Sequence, residues 1–333
     1  MRKLFLLLVC LAVTGLVACS SMESGVFTTR YGYIDKTGQI LINFQFADGG
    51  SFAEGLGPVK IGGEWAYVNK AGKIIINPQF AEADKFSEGL GRVKHGGKWG
   101  YVSKTGTFII NPQFDSAGNF SEGAAAVEIG GMMAYVDKKG KIIINPQFAD
   151  AARFSEGMAR VKQGGKWGYI NKTGRFVVNP QFDSGGDFRE GLAAVELGGK
   201  MGYIDKAGKM VVNPQFDDAG GFREGLAKVK LAGSWGYINK TGKFVINPQF
   251  AEAESFYEGL APVVMAGGAG YIDKTGRITI NPQFADAGKL REGLARVKMA
   301  GKWGYINKTG KIVVNPQFGS AADYSEGLAR VSY

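Results

Sequence analysis

Histidine and cysteine are almost missing from this chain, which has one histidine, His95, and two cysteines, Cys10 and Cys19, in 333 residues. Both cysteines precede residue 20, so the rest of the chain holds no thiol for a disulfide. His95 has no Cys or His companions for a metal site and no Ser or Asp pattern for a catalytic triad, and it reads as a solvated turn histidine. Helix-length windows are lacking too, because glycine and proline interrupt the chain at least about every ten residues, too often for a stable helix. Glycine-rich stretches such as Gly198-Gly199-Lys200 lack the Walker spacing, which argues against a phosphate loop. No catalytic residue, metal site or cofactor is expected, and the chain is read as a non-enzyme.

What is present is repetition. The Asn of an Asn-x-Gln-Phe tetrapeptide falls at 43, 77, 111, 145, 179, 213, 247, 281 and 315, at a constant interval of 34 residues. The 52 glycines fall mostly at fixed places in that unit. Residues 28–333 therefore form nine units, and the repeat overrides any division of the chain by length.

One unit, Leu90–Phe114, predicts strand, turn, strand, turn, strand. Arg92-Val93-Lys94 leads into Gly96-Gly97, a pair that accepts positive φ and suits a tight hairpin. Trp99 to Val102 alternates as a second strand, and Lys104-Thr105-Gly106 is the next turn. Phe108-Ile109-Ile110 is a third strand expected to end at Asn111-Pro112, since proline cannot donate to a ladder. Asp115–Gly123 is expected as a connecting loop, and Asn77, Asn111 and their equivalents are expected to cap their own turns before proline.

These residues, "KWGYINKTGKIVVNPQF" followed by "FSEGLARVK", resemble the WG-repeat family of bacteria, also described as KWG repeats. The match extends over all nine units. Departures are Tyr31, Met133, Met201 and Ala269 in place of Trp, Ala66 and Ala134 in place of Gly, and Phe44 in place of Pro. The resemblance implies an all-β repeat fold and little about activity.

The array begins at a second strand, Tyr31 to Ile34, and ends on a first strand, Leu328–Tyr333. An open β-solenoid would leave a lone strand at each end with unpaired backbone groups. A propeller-like ring lets the last strand pair with the first and is the favoured architecture, with nine three-stranded units.

A longer period lies within the short one. Trp99, Trp167, Trp235 and Trp303 recur every 68 residues, and Met133, Met201 and Ala269 stand in the units between. A two-residue turn at Gly96-Gly97 puts Lys94 opposite Trp99 and Arg92 opposite Tyr101. The identities covary accordingly: Lys60, Lys94, Lys162, Lys230 and Lys298 accompany the tryptophans, whereas Glu128, Glu196 and Val264 accompany their replacements. A lysine laid on an indole is the expected contact, worth roughly 0.5–1 kcal/mol where exposed. Candidate ligand-facing residues are therefore Lys94, Trp99, Tyr101, Lys162, Trp167, Tyr169, Lys230, Trp235, Tyr237, Lys298, Trp303 and Tyr305. The hairpins carrying Ala232, Ala266 and Ala300 in place of the first glycine are expected to change turn type and shift register. Glu54 and its eight equivalents precede a glycine in every unit and read as structural acceptors of backbone hydrogen bonds.

Residues 1–18 have a basic start, an apolar run of about a dozen residues and small residues before Cys19, the pattern of an export signal too short to span a membrane. Leu16-Val17-Ala18-Cys19 resembles the lipobox of bacterial lipoproteins, which implies cleavage before Cys19 and its acylation. Residues 19–27 would then be a tether reaching at most roughly 30 Å. Ser20 after the cysteine favours the outer membrane, by resemblance to known lipoproteins. The formal charge of +10 falls to +8 without residues 1–18, which hold two basic residues and no acidic ones. Two functions fit: a lipid-anchored, monomeric envelope scaffold for a protein or peptide, or a lectin-like module for an anionic glycan. Nucleic acid is not an expected partner, because export removes the chain from it.

Overall fold

The computed structural model describes residues 29–333; the signal segment, Cys19 and the rest of the tether lie outside them. Among the described residues every regular element is a strand. β1 (Tyr31–Ile34) and β2 (Ile40–Phe46) come first, followed by β3 (Asp48–Gly49), β4 (Leu56–Ile61), β5 (Glu64–Asn69) and β6 (Ile74–Phe80). β3 to β6 pair in that order as one antiparallel sheet, and the same sheet recurs until the chain has built nine blades of a β-propeller.

The ring is closed. The last strand, Ala329–Ser332, pairs with β1 through Tyr31–Ser332, Gly32–Val331, Tyr33–Arg330 and Ile34–Ala329. The ninth blade thus takes two strands from each end of the chain, and the open solenoid is excluded.

Each blade has four strands where three were expected. The segment read as a loop, Asp115–Gly123, contributes the short strand Ser116–Ala117, which pairs with Glu128 and Val127 and satisfies an edge otherwise left open. The Trp-bearing strand is followed by an outer strand that runs from Phe108 through Pro112 to Phe114, past the expected end. Proline is tolerated there because it sits on the edge strand, at a bulge where the register shifts between Ile110 and Phe114. Gly100 faces that bulge, and a Cβ on it would lie 2.6 Å from the Ile110 carbonyl oxygen. Since the strand continues, Asn77 has no turn to cap. The caps come instead from Asn69 and its equivalents, with Asn69 Oδ1 accepting from the N–H of Ala71 at 3.1 Å and Lys73 at 3.0 Å.

The core lies between blades. Tyr101, Ile110 and Phe114 of one blade pack on Phe120, Ala125, Val127 and Val136 of the next. Every blade repeats a tyrosine lock: nine buried phenols, from Tyr33 to Tyr305, each donate to a carbonyl 17 residues on, as Tyr101 does to Gly118 O at 2.6 Å. Burial pushes all nine hydroxyls well above the usual phenol range.

A second lock uses the recurrent glutamates. Glu54 and its equivalents take φ of 51–55° in a Glu-Gly two-residue turn, a left-handed conformation costly for a side-chain-bearing residue. Each carboxylate accepts the glycine N–H of the next blade's turn, at 3.0 Å for Gly123 and Glu88. The glutamates thus accept backbone hydrogen bonds as expected, but across the blade boundary and not within their own loop. Eight of the nine also pair with a lysine in a Lys-x-Gly turn on the same face, as Lys138 with Glu88 at 3.1 Å. The Gly-Gly hairpins close the blades on the opposite face.

Candidate binding face

The hairpin face carries the alternating residues. Lys94 stands directly opposite Trp99 and Arg92 opposite Tyr101, and the same register holds for Lys162 and Trp167, Lys230 and Trp235, and Lys298 and Trp303. The alanine turns keep this register as well: Leu231 pairs with Ser234 and Met299 with Lys302. Ala232 and Ala300 simply adopt φ of 50° and 46°, so the expected shift does not occur. Ala266 takes no positive φ, and its hairpin is the one that changes turn type while still pairing Met265 with Gly268.

On the four alternating indoles the closest cation is not the directly cross-strand lysine. Arg92 sits 4.5 Å from the Trp99 ring centre and Lys94 5.6 Å; Arg160 is 5.0 Å from Trp167 and Lys162 5.9 Å. Lys228 at 4.7 Å precedes Lys230 at 5.9 Å on Trp235, and Arg296 at 5.0 Å precedes Lys298 at 5.8 Å on Trp303. The diagonal residue wins because its head is also held by the next blade: Arg296 Nη1 donates to Ala321 O at 3.0 Å and Lys228 Nζ to Ala253 O at 2.8 Å. Arg92 and Arg160 make the same bond to Ala117 O and Gly185 O. Each of these four Trp blades therefore carries an indole flanked by two cations.

The four tyrosines do not belong to this surface. Tyr101, Tyr169, Tyr237 and Tyr305 are fully buried with their hydroxyls spent on the lock, so a ligand on the hairpin face cannot reach them. They lie opposite Arg92 and its equivalents, but a strand's side chain packed against the next blade has no open side. Trp99 and Trp303 are buried to 9 % exposure, whereas Trp167, Trp235 and the four lysines are half-buried. His95 is exposed at its turn, with Nδ1 3.1 Å from Gln79 O. No metal-holding cluster exists among the described residues.

Grooves open at two of the blades that lack the stack. At the Ala269 blade, with Pro262 and Val264 in place of the two cations, a cavity of about 580 Å³ lies between Trp235 and Lys228 on one side and Arg296 and Lys289 on the other. At the Met133 blade, a cavity of about 360 Å³ is lined by Ala126, Glu128, Asp150 and Arg153. Both grooves lie between neighbouring blades, so no single repeat reveals them. Alternation also fails at the seam, because nine is odd: Arg296 and Arg330 occupy adjacent blades, with Arg330 over the Tyr31 ring at 4.7 Å.

The profile of the WG containing repeat matches nine times, at residues 31–65, 65–99, 99–132, 133–167, 167–200, 201–234, 235–268, 270–303 and 303–333. No curated protein matches the chain. Among solved structures, a eukaryotic initiation factor is similar over 92 % of this chain and 98 % of its own, with a TM-score of 0.62 at 9 % identity. Hsv2p of Kluyveromyces lactis is similar over 69 % of this chain and 93 % of its own, with a TM-score of 0.43 at 9 % identity. At such identities the likeness concerns the fold alone.

Proposed function

Because the chain belongs to the family of the WG containing repeat, whose units fill it from residue 31 to 333, we propose that it is a non-catalytic binding scaffold whose hairpin face receives a segment of a protein partner. The observation that carries this reading is the groove at Ala269, walled by Trp235 and by cations whose heads are already fixed. Preorganised aromatic and arginine walls around a groove of several hundred Å³ suit side chains of a bound segment. The buried tyrosines are consumed by their lock and add nothing to that surface.

In the same reading the protein is an envelope lipoprotein, cleaved before Cys19, acylated there and held at the outer membrane. The Leu16-Val17-Ala18-Cys19 ending supports this, and Cys19→Ser should abolish labelling by a fatty-acid analogue; undiminished labelling would remove the anchor from the proposal.

Ala269→Trp tests the groove. The fold accommodates Trp at the equivalent place in other blades, so the variant should melt like the parent while filling the cavity. Peptides selected by display on the parent should lose affinity for the variant. Equal affinity would place binding elsewhere.

A further inference from the structure

The turn face, opposite the hairpins, carries an unequal ring. At the residue before each Glu, four blades place a serine whose hydroxyl donates to the next blade: Ser87 to Phe120 O at 2.8 Å, and Ser121, Ser155 and Ser325 to Phe154 O, Phe188 O and Phe52 O, each at 2.7 Å. Four consecutive blades on the other side replace it with Arg189, Arg223, Tyr257 and Arg291. Arg223 and Arg291, from the blades on either side, lie 4.2 Å and 4.1 Å from the centre of the Tyr257 ring. The stem of Arg189 lies over Gly221, where a Cβ would come within 2.9 Å of it. Among the described residues none of the three guanidiniums makes a hydrogen bond or an ion pair, although each offers five donors held in a plane.

Beside this arc is a cavity of about 410 Å³ lined by Ser51, Lys85, Glu258, Arg291, Asp323 and Tyr324, among others, from five contiguous blades around the axis. It contains acceptors as well as cations. Glu258 is the one clamp glutamate without a lysine within ion-pair distance, and it is exposed. Asp323 is ion-paired through Oδ1 to Arg296 Nε at 3.1 Å, and its side chain keeps 33 % of its surface exposed for a further donor. A ligand that satisfies both sets must bring anionic groups to the arginines and hydroxyl donors to the carboxylates.

We propose that the arc and its cavity form a binding site for an acidic saccharide, with carboxylates forked by Arg223 and Arg291 and ring hydroxyls donating to Glu258 and Asp323. Arg189 and Arg223 are half-buried and Arg291 is exposed. An acidic peptide would supply the charge but few hydroxyl donors. The arc lies on the turn face, and its cavity shares Asp323 with the lining of the Ala269 groove, whose Lys289 reaches within 5.4 Å of the Tyr257 ring centre.

The test is calorimetric titration of the protein with tri-galacturonate, with maltotriose as the neutral control and a poly-glutamate peptide as the acidic control. Tri-galacturonate should bind and weaken as salt rises, while maltotriose should not bind. Arg223→Gln with Arg291→Gln should lower affinity about tenfold or more, with unchanged melting. Arg189→Gln, which removes no stacked partner, should also weaken binding and serves if the double variant misfolds. No binding of tri-galacturonate, equal binding by the variants, or equally tight binding of poly-glutamate would each overturn the proposal.

Discussion

Glu326 accepts a hydrogen bond from Gly55 N–H at 2.9 Å, joining the last repeat to the first across 271 residues of chain. The same bond joins every other neighbouring pair of blades, so the seam is locked by the device used elsewhere. Arg330 adds to it, with Nη1 2.9 Å from Asp48 Oδ1. A propeller held this way gains its closure from side chains as well as from the shared sheet.

Deleting Leu328–Tyr333 should expose the β1 edge and remove the pairing from Tyr31 to Ile34. The expected outcome is a lower melting temperature, a broader transition and self-association seen by light scattering. A monomer that melts like the parent would mean that the seam contributes little.

The glutamate clamp carries a conformational cost that separates two substitutions. Glu122→Ala keeps the strained φ of 53° and loses the bond to Gly157 N–H, so it should cost roughly 1–3 kcal/mol. Glu122→Gly loses the same bond but relieves the strain and should cost less. Chemical denaturation of both variants measures the difference, and equal losses would show the left-handed turn to be unstrained.

Stability should fall at both ends of the pH scale. Burial pushes the carboxyls of Glu88, Glu156, Glu292 and Glu326 up, but hydrogen bonds from a lysine and from backbone N–H groups outweigh it and hold them below 4.5. The folded state therefore binds these protons less readily than the unfolded chain, and the clamps' contribution is complete above pH 4.5 and lost as the pH falls below it. The buried tyrosines have the opposite sign, being raised above 10, so their contribution is complete below pH 10 and lost as the pH rises beyond it. Phenolate absorbance should appear together with the loss of circular dichroism in alkali. Ionisation of most tyrosines in a still-folded protein would contradict the lock.

A double-mutant cycle distinguishes the two cations on Trp167. Arg160 at 5.0 Å should couple to the indole by roughly 0.5–1 kcal/mol, and Lys162 at 5.9 Å by less. Trp167→Met with Arg160→Met and with Lys162→Met gives both values. A larger coupling for Lys162 would restore the direct cross-strand lysine as the main contact.

Period, strand content and hairpin register were legible in the residues alone, because the Gly-Gly turns and a two-residue alternation leave one pairing that puts Lys94 on Trp99. The covariation of those positions is local chemistry, and it reads correctly from the chain. The tyrosines were misassigned because alternation along a strand places Tyr169 on the same side as Trp167 but cannot tell that the next blade covers the tyrosine completely and leaves the indole half-exposed. The fourth strand, the partner of each glutamate and the greater proximity of Arg92 over Lys94 all depend on contacts between blades, as do the grooves at Ala269 and Met133. A 34-residue repeat encodes its own sheet; its neighbours are supplied by ring closure, and only in the ring do equivalent residues acquire inequivalent surroundings.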